Sequence, residues 1–268
     1  MKKSIYYWSP CLTKVGTVKS TLNSAISLAK YSKSYNVKIL NVFGEWSKYK
    51  DYLKKKNVEV EDLAFNYYNF LPKNGFLNSR FSYLTICFIS LIPLIIFLKR
   101  KKPDFLILHL ITSLPLILLN ILKFKSQIIL RISGYPKLNY LRRKLWIYSG
   151  NKIFAITCPT QELKKKLIDK QIFQNDKVKI LFDAIINIEE LINKKINNDL
   201  IPKTNIDKGY FLAAGRFTKQ KNYFYLIKEF KKFLELYPNE KLVLIGEGEL
   251  EKKIKREIAN YNLKKNIL

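Results

Sequence analysis

Short apolar runs alternate with stretches of helical periodicity along the first two thirds of the chain. This alternation is typical of βαβ units and predicts a parallel sheet with helices on its faces. In the helix predicted over residues 18–33, Val18, Leu22 and Ala25 recur at helical spacing. Thr160 is the predicted N-cap of a later helix that has Glu162 in its first turn. The predicted strands are residues 4–9, 37–43, 58–63, 105–110, 127–132, 152–157 and 178–182.

A second unit is predicted after a linker over residues 191–208, which is rich in Asn, Lys and Asp. Its predicted elements are strands at residues 210–214 and 241–245 and helices at residues 221–236 and 250–261. Two strands and two helices are few for a doubly wound domain, and a third strand would start at Ile267 and Leu268. We therefore expect an α/β chain with a first domain over residues 1–190 and an incomplete second domain over residues 209–268.

Residues 81–98 form an apolar stretch without any charged side chain, and residues 99–102 after it are all basic. At 1.5 Å per residue, an 18-residue helix is just long enough to cross a bilayer core of ~30 Å. Pro93 would kink such a helix. Three interpretations stay open: a membrane span, a helix on the sheet with one face at the membrane interface, and a soluble packing helix.

The composition excludes a disordered chain, because 48% of the residues are hydrophobic and 14% are aromatic. The net charge is +28, from 49 Lys and Arg against 21 Asp and Glu, and it is spread over the whole chain. Most of the cations are Lys, whereas Arg is the residue suited to planar phosphate and base recognition. The charge therefore either reflects a Lys-rich composition without a specific role or attracts the protein to anionic membranes or phosphorylated ligands.

Cysteine and histidine are scarce, which limits the chemistry and indicates the compartment. Cys11, Cys87 and Cys158 lie far apart and match no metal-site spacing, and one His in the chain excludes a His cluster. The first apolar run is short and ends at Pro10, unlike a secretory signal. We expect a cytoplasmic protein with reduced thiols and no metal.

The strongest candidate site lies in residues 209–222, where a predicted strand ends at Gly215 and a helix follows near Lys221. Ligands bind at the carboxyl ends of parallel strands, and a helix N-terminus adds free N–H groups. Arg216 and Lys221 supply two cations there, so a diphosphate is the complementary ligand. Spacing alone fits ordinary surface cations equally well, and Asn222 is either a helix cap or a packing residue.

Four segments together resemble the donor domain of glycosyltransferase family 4. They are residues 215–230, residues 242–250 with Gly246-Glu-Gly248, residues 254–258, and residues 262–267. The resemblance implies the GT-B fold of two Rossmann-like domains, a nucleotide-sugar donor, transfer with retention and no essential metal. It also implies that Arg216 and Lys221 hold the donor diphosphate. Gly246 is either part of a tight turn or a donor contact.

The first part of the chain resembles the same family less specifically. The loop after the first strand has Gly16 where the family often has a Gly-Gly pair, and residues 129–136 resemble its strand followed by His-Gly. Here Ser133 replaces the His and Gly134 follows it. His109 ends a predicted strand and is either a hydrogen-bonded core residue or a cleft group. Arg131 and Asp183 are weaker candidates on the same grounds, and Asp183 also fits a turn cap.

The family's donor domain normally continues with a Glu-x7-Glu motif that contacts the transferred sugar and the ribose. Glu249 and Glu257 have this spacing, but they are assigned to the solvated face of a helix. The resemblance therefore implies that the motif lies beyond Leu268, that the chain is truncated within its donor domain, and that it has weak or no turnover alone.

The function expected on this basis is transfer of a hexosyl or N-acetylhexosaminyl group from a UDP- or GDP-sugar to a polysaccharide or lipid-linked acceptor. Residues 81–102 would hold the enzyme at the inner face of the membrane. The alternatives are a non-catalytic basic protein that binds polyanions and an integral membrane protein built on residues 81–124. No signature of specific nucleic-acid binding occurs.

Overall fold

A computed structural model describes residues 2–12, 16–72, 76–136, 138–196 and 209–268. The chain divides into two compact units, Met1–Asn193 and Lys194–Leu268. Each unit has helices packed on a parallel sheet, so the expected α/β class is confirmed. The predicted linker starts inside a helix, Ile188–Ile196, and its remainder lies outside the described residues.

Seven strands form the sheet of the first unit, and each matches a predicted strand with shifted ends. They are β1 (Lys3–Trp8), β2 (Tyr35–Asn41), β3 (Glu59–Asp62), β4 (Phe105–Leu108), β5 (Gln127–Arg131), β6 (Ala155–Cys158) and β7 (Val178–Ile180). All pairs are parallel, in the order β3-β2-β1-β4-β5-β6-β7. The strand order reverses between β1 and β4, which is the position where doubly wound sheets bind ligands.

The core of the first unit lies on both faces of this sheet. Tyr6 and Trp8 of β1 belong to one buried cluster, and Ile5 and Tyr7 belong to the other. This division follows from the strand period of two, since successive side chains point to opposite faces. Both faces of β1 are therefore apolar, as expected for a central parallel strand.

Helices lie between the successive strands of the first unit, and one more helix follows β7. They are α1 (Gly16–Tyr31), α2 (Lys50–Lys54), α3 (Phe76–Lys101), α4 (Ser113–Ile121), α5 (Tyr140–Gly150), α6 (Gln161–Asp169) and α7 (Ile188–Ile196). Thr160 caps α6 as predicted, because its Oγ1 accepts a hydrogen bond from the Leu163 N–H at 3.2 Å. Helices α2, α4 and α5 were not predicted from the sequence. Helix α4 is apolar nearly all round and shows no periodicity.

The apolar stretch 81–98 is the middle of α3, which continues through Pro93 as a single 26-residue helix. One side of α3 faces the core, because Ile86, Leu94 and Leu98 pack into it. By length and composition alone, α3 is also long and apolar enough to cross a membrane, and a third of its most apolar window is buried.

The second unit has two paired parallel strands, β8 (Phe211–Ala214) and β9 (Leu242–Ile245). Helices α8 (Tyr223–Leu236) and α9 (Glu251–Asn260) pack on them around Ile227, Phe230 and Ile254. Where a third strand is expected, Ile267 forms one isolated parallel bridge with Leu242, outside the two strands.

Two details of the second unit correct the sequence analysis. Helix α8 begins at Tyr223, because residues Lys219–Lys221 form a 3-10 turn and Asn222 is left-handed, with φ 52°. Glu249 precedes α9, so only Glu257 of the pair lies on that helix.

Candidate functional site

The first candidate region is the carboxyl edge of the first sheet, where a network of polar side chains surrounds His109. Ser9 directly follows β1 and His109 directly follows β4, on the two sides of the strand-order reversal. Arg131 ends β5, and Asp183 follows β7. The parallel topology thus brings residues from four strand ends to one edge.

Both ring nitrogens of His109 are hydrogen-bonded inside the first unit. Its Nδ1 lies 2.7 Å from Thr21 Oγ1, and its Nε2 lies 2.9 Å from Ser133 Oγ. The residue is only 9% exposed. Burial lowers the pKa of His109 to about 4, the charge of Arg131 acts in the same direction, and Asp183 opposes them. His109 is therefore neutral at pH 7.

The available protons determine which group donates and which accepts in each hydrogen bond of this network. Asp183 is ionised and accepts only, so Ser133 donates its proton to Asp183 Oδ1 at 3.3 Å. His109 Nε2–H must then donate to Ser133 Oγ, which leaves Nδ1 to accept from Thr21. Thr21 in turn accepts from Ser9 Oγ at 3.1 Å. A continuous chain of donors runs from Ser9 through the imidazole to Asp183.

Arg131 and Asp183 form the charged end of the network. Arg131 Nη2 lies 2.6 Å from Asp183 Oδ1, and Arg131 Nη1 donates to the Leu181 carbonyl oxygen. Burial acts to raise the pKa of Asp183, but the hydrogen bond and charge of Arg131 and a hydrogen bond from Ser20 outweigh it and hold that pKa below its usual value. The ion pair fixes the segment after β7 to β5.

The two predicted glycines near this edge have open surroundings. Gly16 is the first residue of α1, and a Cβ added at Gly16 or at Gly134 would meet no atom of the described residues within 4 Å. The described packing therefore does not require glycine at either position.

Sequence reasoning missed three hydroxyl groups in this network, those of Ser9, Ser20 and Thr21. All three residues are buried. Ser20 and Thr21 stand between Val18 and Leu22 on the apolar side of α1. A buried hydroxyl needs a hydrogen-bond partner, so polar residues within an apolar helix face were the available signal.

The second candidate region is a pair of loops in the second unit, after β8 and after β9. Phe217 N–H donates to the Glu247 carbonyl at 2.8 Å, and Leu250 N–H donates to the Phe217 carbonyl at 3.0 Å. A Cβ added at Gly246 would lie 1.9 Å from the Gly215 carbonyl oxygen, and one at Gly248 would lie 2.5 Å from that of Phe217. Both glycines are thus required by close backbone packing, which supports a tight turn for Gly246.

The predicted diphosphate ligands, Arg216 and Lys221, are exposed on this loop pair. Lys221 lies along Gly215, since its Cε would be 3.5 Å from a Cβ added there. Tyr223 Oη donates to the Gly215 carbonyl at 3.0 Å and fixes the start of α8 on the end of β8. Within the described part of the chain, neither cation forms an ion pair.

Asn222 occupies the N-cap position of α8, but it caps through its backbone. The predicted cap position is thus the one that Asn222 occupies, although its side chain makes no cap hydrogen bond. Its carbonyl oxygen accepts from the N–H groups of Tyr225 and Leu226 at 3.1 and 3.3 Å. The left-handed backbone explains the residue type, because Asn tolerates this conformation better than most residues.

The second region can bind an anion electrostatically. Arg216 follows the end of β8 and Lys221 ends the 3-10 turn before α8, and neither forms an ion pair with a described residue. Their charges complement a diphosphate. Among the described residues, no group of three or more His, Cys, Asp or Glu side chains is placed to hold a metal ion.

Sequence comparisons point to glycosyltransferases. Residues 196–268 match the model of the family described as "Glycosyl transferases group 1". The chain is also 32% identical, over 191 residues, to an uncharacterized glycosyltransferase of Methanocaldococcus jannaschii. That alignment covers 63% of this chain and 46% of the relative, so the chain spans less than half of that relative's length.

Structural comparisons show the fold. A glycosyltransferase of Rickettsia africae superposes with a TM-score of 0.63 at 17% identity, over 100% of this chain and 67% of that one. The HepE protein of Anabaena, solved with UDP and glucose, gives 0.61 at 11%, over 100% and 68%. The UDP-GlcNAc 2-epimerase of Neisseria meningitidis, bound to UDP-GlcNAc, gives 0.58 at 14%, over 100% and 71%.

These comparisons confirm the expected fold class, Rossmann-like units of the GT-B type. The match over residues 196–268 covers the loop pair that carries Arg216 and Lys221. Assignment to family 4 in particular stays a prediction, and so do the roles of the individual site residues. The fold alone does not separate transferases from epimerases, because one fold hosts several chemistries.

Proposed function

We propose that the chain acts in a glycosyltransferase that moves a hexosyl or N-acetylhexosaminyl group, with retention, from a UDP- or GDP-sugar to a polysaccharide or lipid-linked acceptor. The observation that carries the proposal is the loop pair of the second unit, with Arg216 and Lys221 exposed and free of ion pairs in the described chain. The family match over the same residues supports it.

In this proposal, Arg216 and Lys221 bind the donor diphosphate and stabilise the negative charge that develops on it as the glycosidic bond breaks. The N-terminus of α8 adds a partial positive charge on the same side. The glycine contacts hold both loops before the donor arrives, so the cations need little reorganisation. The two cations offset the two negative charges that the donor carries on its phosphate groups before transfer.

Calorimetric titration with UDP, GDP and ADP tests the donor site. The variant Arg216→Ala with Lys221→Ala should lose at least about 100-fold in affinity for the preferred diphosphate, because each charge-assisted hydrogen bond contributes about 1.5–3 kcal/mol. Lys228→Ala with Lys252→Ala removes the same charge from exposed positions on α8 and α9 and should change little. Equal losses in both double variants, or no loss in either, would refute the assignment and favour a polyanion binder.

A second part of the proposal concerns the membrane. The outer side of α3 presents apolar side chains to solvent, and residues 99–102 at its end are basic. The exposed side chains on this outer face are Leu77, Phe81, Leu84, Phe88, Ile92 and Ile96. An apolar helix face beside a cationic cluster fits an anionic membrane interface, which would place the enzyme peripherally at the inner face of the membrane.

Co-sedimentation with vesicles tests membrane contact. The protein should pellet with vesicles of phosphatidylcholine and phosphatidylglycerol at 7:3 and not with phosphatidylcholine alone. Phe81→Ser with Phe88→Ser should abolish sedimentation, whereas Phe154→Ser with Phe182→Ser, two exposed Phe outside α3, should not. Wild-type protein that stays in the supernatant at low salt would rule the contact out.

A further inference from the structure

The outer sides of three helices form one apolar surface on the first unit, which we call the three-helix face. Helices α3, α4 and α5 pack on the same side of the sheet, because Ile86, Leu116 and Trp146 all belong to one buried cluster. Each helix also turns large hydrophobic side chains to solvent. In addition to the outer face of α3, these are Ile117 and Ile121 on α4 and Tyr140, Leu141, Ile147 and Tyr148 on α5.

Helix α5 shows how the sequence produces this exposure. Tyr140, Lys144 and Tyr148 recur at intervals of four residues and therefore share one side of the helix, roughly opposite the buried Trp146. Lys144 Nζ lies 4.4 Å from the centroid of the Tyr140 ring, and Lys152 Nζ lies 4.8 Å from that of Tyr148. Tyr and Lys side chains with an apolar body and a polar tip are typical of the bilayer interface.

The helices on the other side of the sheet lack such a surface. Helices α1 and α2 cover that side. Of their described residues, Tyr31 and Tyr52 are the large hydrophobic side chains that are exposed. Helix α6 lies on the same side as α5, but it exposes the ion pair of Glu162 and Lys166. Apolar exposure therefore continues across α3, α4 and α5 and stops at α6.

The three-helix face lies in a part of the sequence that is almost free of acidic residues. Residues 63–161 contain one, Asp104, and its Oδ2 accepts hydrogen bonds from the Ser4 N–H at 2.7 Å and the Ser4 hydroxyl at 2.9 Å. Helix α7 also exposes apolar residues, but Glu189 and Glu190 stand among them. A negatively charged surface is therefore complementary to the three-helix face and not to α7.

A row of cations borders the three-helix face at the edge where the parallel strands begin. Helices α3, α4 and α5 lead into β4, β5 and β6, so all three helices end at this edge. Lys101 also pairs with Glu61 of β3 at 3.3 Å, so part of the charge after α3 is used within the fold, and α4 and α5 add to what remains. The cation row consists of the exposed residues 99–102, Lys123, Lys125 and Lys152.

We propose that the three-helix face and the cation row together bind the surface of an anionic phospholipid bilayer, with the α1 side of the sheet turned away from it. The apolar side chains of α3 and α4 enter the outer acyl region, and Tyr140 and Tyr148 lie at the level of the headgroups. Three helices define a plane, so this contact fixes an orientation that one helix does not fix. The inference rests on the membrane contact of the proposed function.

The two parts of this surface together select the partner. A soluble polyanion matches the cation row, but it leaves Ile121 and Leu141, which are 72% and 75% exposed, in contact with water. An uncharged apolar partner covers those side chains but leaves the cation row without a counter-charge. A bilayer with anionic headgroups offers an apolar layer and a negative layer side by side.

Tryptophan substitution with brominated lipids tests the orientation. Phe88→Trp, Ile121→Trp and Tyr148→Trp each add one indole, on α3, α4 and α5, and Tyr31→Trp at the exposed end of α1 is the matched control. Vesicles of phosphatidylcholine and phosphatidylglycerol at 7:3, brominated on the acyl chains, should quench the added fluorescence of the first three by at least about half, because interfacial side chains reach the acyl boundary. The control should be quenched no more than wild type, whose own Trp residues are buried.

The outcomes separate this inference from the contact proposed for α3. Quenching on α3 without quenching on α4 and α5 would refute the three-helix face and leave the α3 contact intact. Equal quenching of Tyr31→Trp would refute the orientation, and wild-type protein that does not bind the vesicles would refute both proposals. Circular dichroism checks the fold of each variant, and Ile117→Trp or Tyr140→Trp replaces one that fails to fold.

A charge variant tests the contribution of α5. Lys144→Gln with Lys152→Gln should weaken partitioning into the 7:3 vesicles at least about 10-fold, because each cation near an anionic surface adds to the attraction. Lys54→Gln with Lys55→Gln removes the same charge from exposed positions at the end of α2, on the other side of the sheet, and should change little. Equal losses would show that net charge and not this surface drives binding, and no loss in the first variant would refute the role of α5.

Discussion

The carboxyl edge of the first sheet and the loop pair of the second unit both contain cations at strand ends, but they use them in opposite ways. Arg131 is buried, paired with Asp183 and bonded to a backbone carbonyl. Arg216 is exposed, and the described chain offers it no acidic partner. The charge of Arg131 is used in an ion pair within the fold, whereas the charge of Arg216 is available to a ligand.

The two regions therefore differ in what their polar side chains do: in the first they hold the structure together, and in the second they are open to a ligand. In the first unit, side chains hold the edge together: His109, Thr21, Ser133 and Asp183 satisfy one another. In the second unit, backbone packing at Gly246 holds the loops, so the charged side chains remain free. A cation at a strand end therefore indicates a ligand site only when the surrounding fold leaves it unpaired.

The largest effect is expected at Gly246. Gly246→Ala places a methyl group 1.9 Å from the Gly215 carbonyl oxygen, so backbone must move, at a cost of about 3 kcal/mol. Hydrogen exchange of the amides of β8 and β9 should accelerate, and UDP affinity should fall with them. Gly134→Ala meets no atom within 4 Å and should change stability by less than about 0.5 kcal/mol. Equal effects of the two substitutions would show that backbone packing does not distinguish the regions.

A smaller effect is expected at the two arginines. Arg131→Met leaves Asp183 partly buried without its partner, and we expect the first unit to lose about 2 kcal/mol of unfolding free energy. Arg216→Met should stay within about 0.5 kcal/mol of wild type in stability, because the side chain is exposed and forms no ion pair with the described residues.

All three Trp residues, Trp8, Trp46 and Trp146, lie in the first unit, so fluorescence in a urea titration reports the stability of that unit. Circular dichroism reports both units in the same samples, so a transition that it shows and fluorescence does not show belongs to the second unit. If Arg131→Met left stability unchanged and Arg216→Met destabilised its own unit, the proposed difference between the two regions would be wrong.

The smallest effect concerns pH. The pKa of His109 is about 4 in the folded protein, below the ordinary value of 6.5, so the unfolded chain binds more protons between those values. Stability is therefore full above pH 6.5 and declines as the pH falls towards 4, with a loss of about 1 kcal/mol already at pH 5.5.

His109→Gln should remove this slope between pH 7.5 and 5.5. As the chain has one His, its NMR titration gives the folded pKa directly. A midpoint near 6.5 would mean that the ring is solvated and that the edge is as open as the loop pair.

The sequence predicted the strands well and the site partly. All seven strands of the first sheet were identified from apolar runs bounded by polar residues, and Thr160 was identified from its cap position. Helices α2, α4 and α5 were not predicted, and the start of α8 was placed before the left-handed Asn222. A helix that is apolar all round gives no periodic signal, and a 3-10 turn continues the helical pattern.

The sequence by itself determined the alternation of strands and helices, the α/β class and the strand-end position of Arg216, because each depends on neighbours within a few residues. Only the tertiary structure decided that His109 bonds to Thr21, 88 residues away, that Arg131 pairs with Asp183, 52 residues away, and that Gly246 packs on Gly215. These contacts depend on strand order, which places β4 beside β1 and β9 beside β8. Apolar periodicity fixes which face of an element is buried, but not which other element covers it.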